Sequence, residues 1–419
     1  MSYPQDINFD MGLPIVDLPQ TNNCIIKVIG VGGGGGNAVN HMYREGIHDV
    51  SYVVCNTDKK ALDDSPVPNH LQLGPGLGAG NVPEKARKIA EESIESIKEM
   101  LNDGTRMVFI TAGMGGGTGT GAAPIIARCA KEAGILTVGI VTIPFKFEGM
   151  PKINQALDGV EEISKHVDAL LVINNERLRE IYPELTVINA FAKADDTLTI
   201  AAKSIAEIIT MHGIMNLDFE DVTTVLKDGG VAIMSTGYGE GEGRVTKALT
   251  EALTSPLLNH NDIFNSKKVL LNINFCADDE HSSLMMEEMN EIHEFMGKFR
   301  HDVETKWGLA TDSTLGDKVK ITLLATGFGL QAISGMSSHQ EERKEKLSAE
   351  DKERQANREE MINIYYQDGN RSAKHRHNNI FIYSAENMDN DDIISRVDAT
   401  PTCRRSKEDM NRLKNEGTG

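Results

Sequence analysis

Short apolar runs alternate with longer helical patterns through the first half of the chain. The runs are rich in Val and Ile, as strands buried on both faces of a sheet are, and they cover residues 24–31, 51–55, 107–111 and 136–142. Helical patterns separate them, including a charged amphipathic stretch over residues 84–101 and an apolar one over residues 122–133. This alternation predicts an α/β fold with a Rossmann-like, parallel, doubly wound sheet and right-handed crossovers.

The longest helical pattern spans residues 186–211, where apolar side chains recur with a period of 3.6 residues. Gly213 follows its end, and we expect it to take the left-handed conformation of a helix C-cap. Beyond it the pattern predicts a second, α+β unit with half-buried strands over residues 268–274 and 319–325. A Met-rich helix over residues 284–296 lies between these strands, and we expect its methionines in the core.

The composition changes after Leu330. Residues 341–360 alternate Glu, Lys and Arg, and the polar residues that follow include few apolar ones. Such a segment cannot bury enough apolar surface to offset the entropy of ordering it. We therefore expect a disordered, charged linker there.

Charge and cysteine usage exclude several classes of protein. Acidic residues outnumber basic ones by 62 to 43, and the net charge of −19 opposes binding to nucleic acid. No apolar run approaches the ~20 residues that cross a bilayer, so we expect no membrane insertion. The five cysteines are scattered without a CxxC pair, which argues against a disulfide scaffold or zinc ribbon and for a reducing cytoplasm.

A first glycine cluster, residues 30–37, follows a predicted strand and precedes a predicted helix. Glycines at such a junction let backbone N–H groups approach a phosphate at a helix N-terminus. The cluster contains GxGxxG, which dinucleotide sites share, and Asp58 could bind a ribose after the second strand. A dinucleotide-dependent oxidoreductase therefore remains possible on this cluster alone.

A second glycine cluster, residues 113–121, repeats the arrangement after another strand. Two phosphate-binding clusters on one sheet suit a triphosphate held between two helix N-termini. The chain has no GxxxxGK[ST] motif, which excludes the Walker-type mechanism with its lysine. The second cluster opposes the oxidoreductase interpretation.

The second glycine cluster resembles the signature sequence of the tubulin/FtsZ family in its bacterial form. Residues 26–40 and 216–221 resemble two further motifs of that family, in the right order. The resemblance implies a tubulin/FtsZ-like fold with a long central helix, a second α+β domain and a disordered tail. It implies six segments: an N-terminal extension 1–23, a GTP-binding domain 24–185, the central helix 186–212, a GTPase-activating domain 213–330, a linker 331–390 and a tail 391–419.

The resemblance also implies which residues bind the phosphates of GTP. The first phosphate loop corresponds to Gly32, Gly33, Gly34, Gly35, Gly36 and Asn37. The loop that senses the terminal phosphate corresponds to Gly78, Ala79, Gly80 and Asn81. The centre of the signature sequence corresponds to Gly117, Thr118 and Gly119.

The nucleoside end of the site follows from the same resemblance. Glu148 stands where the family contacts ribose, and Lys152 replaces a family arginine, keeping its charge without its bidentate fork. Phe191 corresponds to the ring that stacks on the base. Asp195 corresponds to the carboxylate that pairs with guanine, although the adjacent Asp196 could be the reader instead. His41 stands where the family carries another arginine.

Asn216, Asp218 and Asp221 resemble the family's hydrolysis loop, and we call residues 216–221 the acidic loop. Two carboxylates and an amide can orient a water and hold a cation. Asp218 could equally cap the helix that follows, with Asp221 in its first turn, and both roles can hold at once. The central helix separates this loop from the base by about 30 Å between Phe191 and Met211. If these acids are catalytic, they act on the nucleotide of the next subunit, and the head-to-tail contact propagates as a filament.

The resemblance implies a GTP-hydrolysing cytoskeletal protein that binds GTP and GDP, with Mg²⁺, and forms the septal ring of dividing bacteria. Its expected location is the cytoplasm at mid-cell. Its expected partners are further copies of itself and membrane-tethering or division-ring proteins that bind residues 401–405 of the tail. A non-hydrolysing structural paralogue is a third possibility, which the intact Asn216, Asp218 and Asp221 oppose.

Overall fold

The computed structural model describes residues 24–329, apart from residues 48, 212, 255–262, 278–281 and 301. These residues form one 11-stranded sheet flanked by helices. The expected N-terminal extension, linker and tail lie outside the described residues, as do Cys403 and the candidate docking segment 401–405. No helix in the part that is described is long and apolar enough to span a membrane.

Six parallel strands form the first half of the sheet. In chain order they are β1 Ile26–Val31, β2 Val50–Asn56, β3 His70–Gln72, β4 Met107–Gly113, β5 Leu136–Ile143 and β6 Ala169–Asn174. The accompanying helices are α1 Gly32–Glu45, α2 Lys59–Asp63, α3 Pro83–Glu92, α4 Ile94–Leu101, α5 Gly117–Glu132, α6 Met150–Ser164 and α7 Asn175–Ile181. The spatial order β3-β2-β1-β4-β5-β6 is that of a Rossmann fold, whose ligands bind where the order reverses, between β1 and β4. The predicted parallel α/β fold is confirmed.

The second half begins with a long helix and continues as mixed sheet. Its elements are α8 Val187–Thr210, β7 Gly213–Met215, α9 Phe219–Leu226, β8 Gly230–Gly239, α10 Arg244–Leu253, β9 Lys268–Phe275, α11 Glu288–Met296, β10 Glu304–Thr311 and β11 Val319–Phe328. β8 joins the two halves by pairing with the start of β6, and β11 pairs antiparallel with both β8 and β9. The short β7 forms the far edge, antiparallel to β10.

The apolar stripe of α8 lies in the main core. Leu198, Ala201 and Ile205 are at most 1% exposed and pack with side chains from the parallel strands, α1 and α9. A second core lies between α10, α11 and the opposite face of β9 and β11. The periodicity of α8 is therefore explained by burial along its length, and Thr186 caps its N-terminus by accepting the N–H of Asn189.

Three sequence predictions about helix boundaries need correction. The stretch 84–101 is two helices, because Ser93 leaves helical geometry and its hydroxyl bonds to the Ile89 carbonyl. The helix predicted over 122–133 begins earlier, at Gly117. α11 begins at Glu288, so Met285 precedes the helix and is 59% exposed rather than in the core. Met286 also precedes the helix and is 84% exposed, whereas Met289 and Met296 pack partly buried against the second core.

The prediction of a left-handed C-cap at Gly213 is wrong. α8 ends at Thr210 and the chain leaves it through an extended Met211. Gly213 instead lies in β7, where a Cβ would approach the Leu309 carbonyl oxygen of β10 to 2.2 Å. The glycine therefore permits close strand approach and not a reversed backbone.

The prediction that residues 268–274 form a half-buried strand is also wrong. Seven of the eight residues of β9 are buried. The strand lies between β11 and β10, and apolar clusters cover both of its faces. Successive side chains of β9 alternate between the two buried faces. Asn272 and Asn274 share one face and hydrogen-bond to each other at 2.7 Å.

Candidate functional site

The two glycine clusters form the first turns of two helices. α1 begins at Gly32 directly after β1, and α5 begins at Gly117 shortly after β4. Neither helix has a side-chain cap or an acidic residue in its first turn. The N–H groups that begin each helix are therefore available to an anion, and both helix dipoles favour one.

Close packing explains many of these glycines. A Cβ on Gly35 would lie 2.2 Å from the Thr111 carbonyl oxygen, and one on Gly119 would lie 2.6 Å from that of Gly113. Gly33 is different, because it is exposed and a Cβ there would meet no atom within 4 Å. The sequence cluster thus combines glycines that the fold needs with one that leaves space open beside the helix start.

A third loop closes against the second glycine cluster. Gly78 and Gly80 have φ of +76° and +62°, and Asn81 has φ of +58°. A Cβ on Gly117 would lie 3.0 Å from the Ala79 Cβ and 3.1 Å from the Asn81 Cα. The three predicted phosphate-binding segments therefore meet at one edge of the sheet, and this geometry suits a polyphosphate.

Side chains that the sequence analysis missed hold these segments in place. The hydroxyls of Thr57 and Thr118 lie 2.7 Å apart and connect the end of β2 to α5. Gln155, on α6, donates from its Nε2 to the carbonyls of Gly115 and Gly116, each at 3.1 Å. No sequence signal marks Gln155, because its partners are backbone carbonyls about 40 residues away in the chain.

An aromatic cluster lies beside the start of α8. The Phe145 ring is 5.1 Å from both the Phe147 ring, which it stacks on, and the Phe191 ring, which it meets edge to face. Phe147 and Phe191 are 58% and 41% exposed, so apolar ring surface remains open. Such a surface can stack on a nucleobase, which is the role that the sequence predicts for Phe191.

Glu148 is fixed by two local donors. The Phe145 N–H donates to its Oε1 at 2.8 Å, and the Lys152 ammonium pairs with its Oε2. A buried carboxylate that the sequence analysis missed, Glu176, accepts the Lys146 N–H at 2.9 Å and so ties the same turn to α7. Lys152 therefore forms an ion pair with Glu148, the residue predicted to contact the ribose.

A cleft of about 260 Å³ opens between α1 and α8. Asp195 lines it and is half-buried, and burial, together with nearby Asp196, raises the Asp195 pKa to about 6. His41 acts against this rise, and its Nε2 lies 2.9 Å from the Asp196 Oδ1. The residues around the cleft are Asn37, Asn40, His41, Arg44, Ala192 and Asp195.

The acidic loop forms a reciprocal cap at the start of α9. The Asp221 N–H donates to the Asp218 Oδ1 at 2.8 Å, and the Asp218 N–H donates to the Asp221 Oδ2 at 3.1 Å. The prediction that Asp218 caps this helix is confirmed. Asn216 accepts the Gly213 N–H through its Oδ1, and Lys306 of β10 pairs with Asp221 at 3.0 Å. Burial alone would raise the Asp221 pKa, but Lys306 and the Asp218 N–H together lower it.

The candidate residues form two groups at opposite ends of α8. The glycine clusters, Glu148, Phe191 and Asp195 surround the N-terminal half of the helix, whereas the acidic loop follows its C-terminus. α8 has 24 residues, which corresponds to about 36 Å. One chain therefore holds a candidate nucleotide pocket and a candidate hydrolytic loop that are far apart.

Known proteins resemble this chain along most of its length. The model of the Tubulin/FtsZ family GTPase domain matches residues 25–183, that of the FtsZ family C-terminal domain matches residues 230–329, and a further FtsZ C-terminal model matches residues 375–419. Cell division protein FtsZ of Porphyromonas gingivalis is 52% identical over 417 residues, covering 97% of this chain and 89% of that protein. FtsZ of Aquifex aeolicus is 43% identical over 312 residues, covering 73% and 84%.

Solved structures agree with these sequence matches. The empty FtsZ dimer of M. jannaschii has a TM-score of 0.66 and 38% identity, covering 72% of this chain and 88% of that one. The GTPγS-bound protofilament of CetZ2 from Haloferax volcanii has a TM-score of 0.60 at 18% identity, which shows the fold alone. The match to a GTPase domain decides against the dinucleotide-dependent oxidoreductase.

Proposed function

Because the chain belongs to the tubulin/FtsZ family and carries its GTPase domain, it is a GTPase, and we propose that it polymerises head to tail and hydrolyses GTP between subunits. The observation that carries this proposal is the separation of the pocket and the acidic loop by most of the length of α8. From Phe191 to Thr210 at its end, α8 rises about 29 Å, and Asp218 cannot reach a nucleotide bound in its own pocket across that distance. A second subunit brings the two groups together.

Exposed apolar side chains at both ends of α8 support a head-to-tail contact. Phe147, Val187 and Ile188 are 58%, 60% and 81% exposed beside the pocket, and Ile214 and Met215 are 66% and 40% exposed beside the acidic loop. Large apolar side chains exposed at both ends of the helix are candidates for burial in an interface. Since the two surfaces differ, the contact is heterologous, and it extends into a filament unless its rotation closes a ring.

The ligand of the pocket is GTP or GDP in this proposal. The phosphates bind at the acid-free starts of α1 and α5, Glu148 contacts the ribose, Phe191 stacks on the base, and Asp195 accepts hydrogen bonds from guanine. Mg²⁺ binds with the phosphates, because phosphate oxygens and waters satisfy its preference for oxygen ligands, and it supplies charge neutralisation. The acidic loop, with Asn216, Asp218 and Asp221, orients the attacking water on the neighbouring subunit's nucleotide.

We further infer a role in the division ring at mid-cell, in the cytoplasm, since the relatives of this chain are named cell division proteins. Membrane-tethering proteins of the ring would bind the tail through residues 401–405. The match of residues 375–419 to an FtsZ C-terminal model supports a recognition segment in this part of the chain.

Complementation between two inactive variants tests hydrolysis in trans. Asp218→Ala keeps its pocket and loses its acidic loop, whereas Gly33→Ala keeps the loop and fills the phosphate site with a methyl group. Each alone should hydrolyse little GTP. In an equal mixture, random head-to-tail assembly pairs an intact pocket with an intact loop at about one interface in four, so about a quarter of wild-type turnover should return.

The matched control mixes Asp218→Ala with the double variant carrying both substitutions, in which no interface has an intact loop. That mixture should stay inactive. If the two single variants sediment together in filaments and hydrolysis still fails to return, catalysis does not occur between subunits.

A further inference from the structure

Contacts with β10 hold the acidic loop in position. β7 pairs with β10 through Gly213 and Met215 on one side of the loop. Leu217, inside the loop, is 6% exposed and packs where Gly308 of β10 lacks a side chain, since a Cβ on Gly308 would lie 2.8 Å from Leu217. The position of the loop is therefore set by contacts with this strand.

Lys306 lies on the same strand, two residues before Gly308, and therefore on the same face of β10. Its Nζ is 3.0 Å from the Asp221 Oδ1. The other Asp221 oxygen, Oδ2, accepts the Asp218 N–H, so both oxygens of Asp221 are engaged. Asp218 uses its Oδ1 to accept the Asp221 N–H, and its Oδ2 has no hydrogen-bond donor among the described residues.

We propose that Lys306 is a positioning residue for GTP hydrolysis, which locks Asp221 as a fixed support and leaves the free oxygen of Asp218 to face the neighbouring subunit. This inference rests on the proposed hydrolysis in trans. The two acids then have different roles: Asp221 orients Asp218, and Asp218 contacts the attacking water. Lys306 does not itself touch the nucleotide in this scheme.

Charge gives Lys306 a second effect on the loop. The Asp221 carboxylate raises the Lys306 pKa most, and those of Glu304 and Asp218 add to the rise. In return, Lys306 lowers the Asp221 pKa and keeps that carboxylate ionised. A protonated Asp221 would lose the ion pair to Lys306 and hold the Asp218 N–H less strongly.

The ion pair contributes little to the stability of the fold by itself. The side chains of Lys306 and Asp221 are 38% and 25% exposed, and ion pairs that solvent reaches stabilise proteins weakly. Removing Lys306 should therefore leave folding intact, so that its effect on hydrolysis can be measured separately.

Lys306→Met and Lys306→Arg test the proposal in the full-length protein. GTP affinity, sedimented filament mass and kcat per polymerised subunit are measured at neutral pH, where Asp221 is ionised. Lys306→Met should bind GTP and polymerise like wild type, with kcat reduced about tenfold, as expected when a catalytic group loses its orientation. Lys306→Arg should restore the rate, because its guanidinium keeps the positive charge beside Asp221.

Lys318→Met is the matched control, since Lys318 is an exposed lysine that pairs with Glu240 and not with the acidic loop. It should hydrolyse GTP normally. The proposal is overturned if Lys306→Met keeps the wild-type rate, if its loss of turnover only follows a loss of filaments, if Lys306→Arg is equally defective, or if Lys318→Met is impaired as well. If complementation succeeds and Lys306→Met behaves like wild type, only the inference about Lys306 is rejected. If complementation fails, hydrolysis in trans is rejected.

Discussion

The His41 Nε2 lies 2.9 Å from the Asp196 Oδ1, and this contact separates the roles of two adjacent acids on α8. Asp196 is engaged by His41 at the edge of the cleft, and Lys193 approaches its other oxygen at 3.9 Å. Asp195 lines the cleft itself. We therefore expect Asp195, and not Asp196, to read guanine.

Substitutions at the two acids should have unequal effects on nucleotide choice. Asp195→Ala should weaken GTP binding by about 1–3 kcal/mol, because guanine loses a buried hydrogen-bond acceptor. Asp195→Asn should shift preference from GTP to XTP, since an amide N–H can donate to the carbonyl that xanthine carries in place of the amino group. Competition binding with GTP, XTP and ATP measures both effects.

Asp196→Ala is the internal control for that experiment. Its partly exposed pair with His41 should contribute only about 0–1 kcal/mol. If Asp196→Ala loses more GTP affinity than Asp195→Ala, then Asp196 binds guanine and the assignment to Asp195 is wrong.

The raised Asp195 pKa predicts a pH dependence of GTP binding. Guanine N–H groups need an ionised acceptor, and the free protein holds this carboxyl with a pKa of about 6. Above that pH the group is already ionised and affinity should be flat. Below it, binding must remove a proton, so affinity should fall towards tenfold per pH unit. Titrations between pH 5 and 8 should lose this acid limb in Asp195→Ala, and a wild-type affinity unchanged down to pH 5 would contradict the assignment.

Local patterns predicted much of the fold and the position of the glycine clusters within it. The β-branched runs became β1, β2, β4 and β5 because their burial follows directly from composition, and the glycine clusters lie at strand ends as their spacing indicates. Long-range packing explains what was missed. Gly213 looked like a helix cap because its partner, Leu309 of β10, lies almost 100 residues later in the chain. Lys306 and Asp221 are likewise distant in sequence and carry no shared motif.

Two glycines of the first cluster should separate binding from folding. Gly33→Ala places its methyl in open space and keeps φ outside the left-handed region, so thermal stability should match wild type while GTP affinity falls. Gly35→Ala drives its methyl towards the Thr111 carbonyl oxygen at 2.2 Å, so the free energy of unfolding should drop by about 1–3 kcal/mol. Thermal melts and GTP titrations on both variants check this, and a destabilised Gly33→Ala with normal GTP affinity would reverse the interpretation.

Truncation should locate the end of the GTPase unit. A chain that ends after Leu330 keeps β11, which pairs with β8 on one side and β9 on the other. It should fold, bind GTP and polymerise, because the described elements and the matched C-terminal domain end by residue 329. It should lose recruitment by membrane-tethering proteins if the tail carries their binding segment.

A chain that ends after Lys318 lacks β11, which lies in the middle of the sheet. It should not fold, since Leu323 and Leu324 are fully buried. Circular dichroism, GTP binding and sedimentation of the two truncations distinguish these outcomes, and a chain ending after Leu330 that fails to bind GTP would show that residues 331–419 belong to the folded unit.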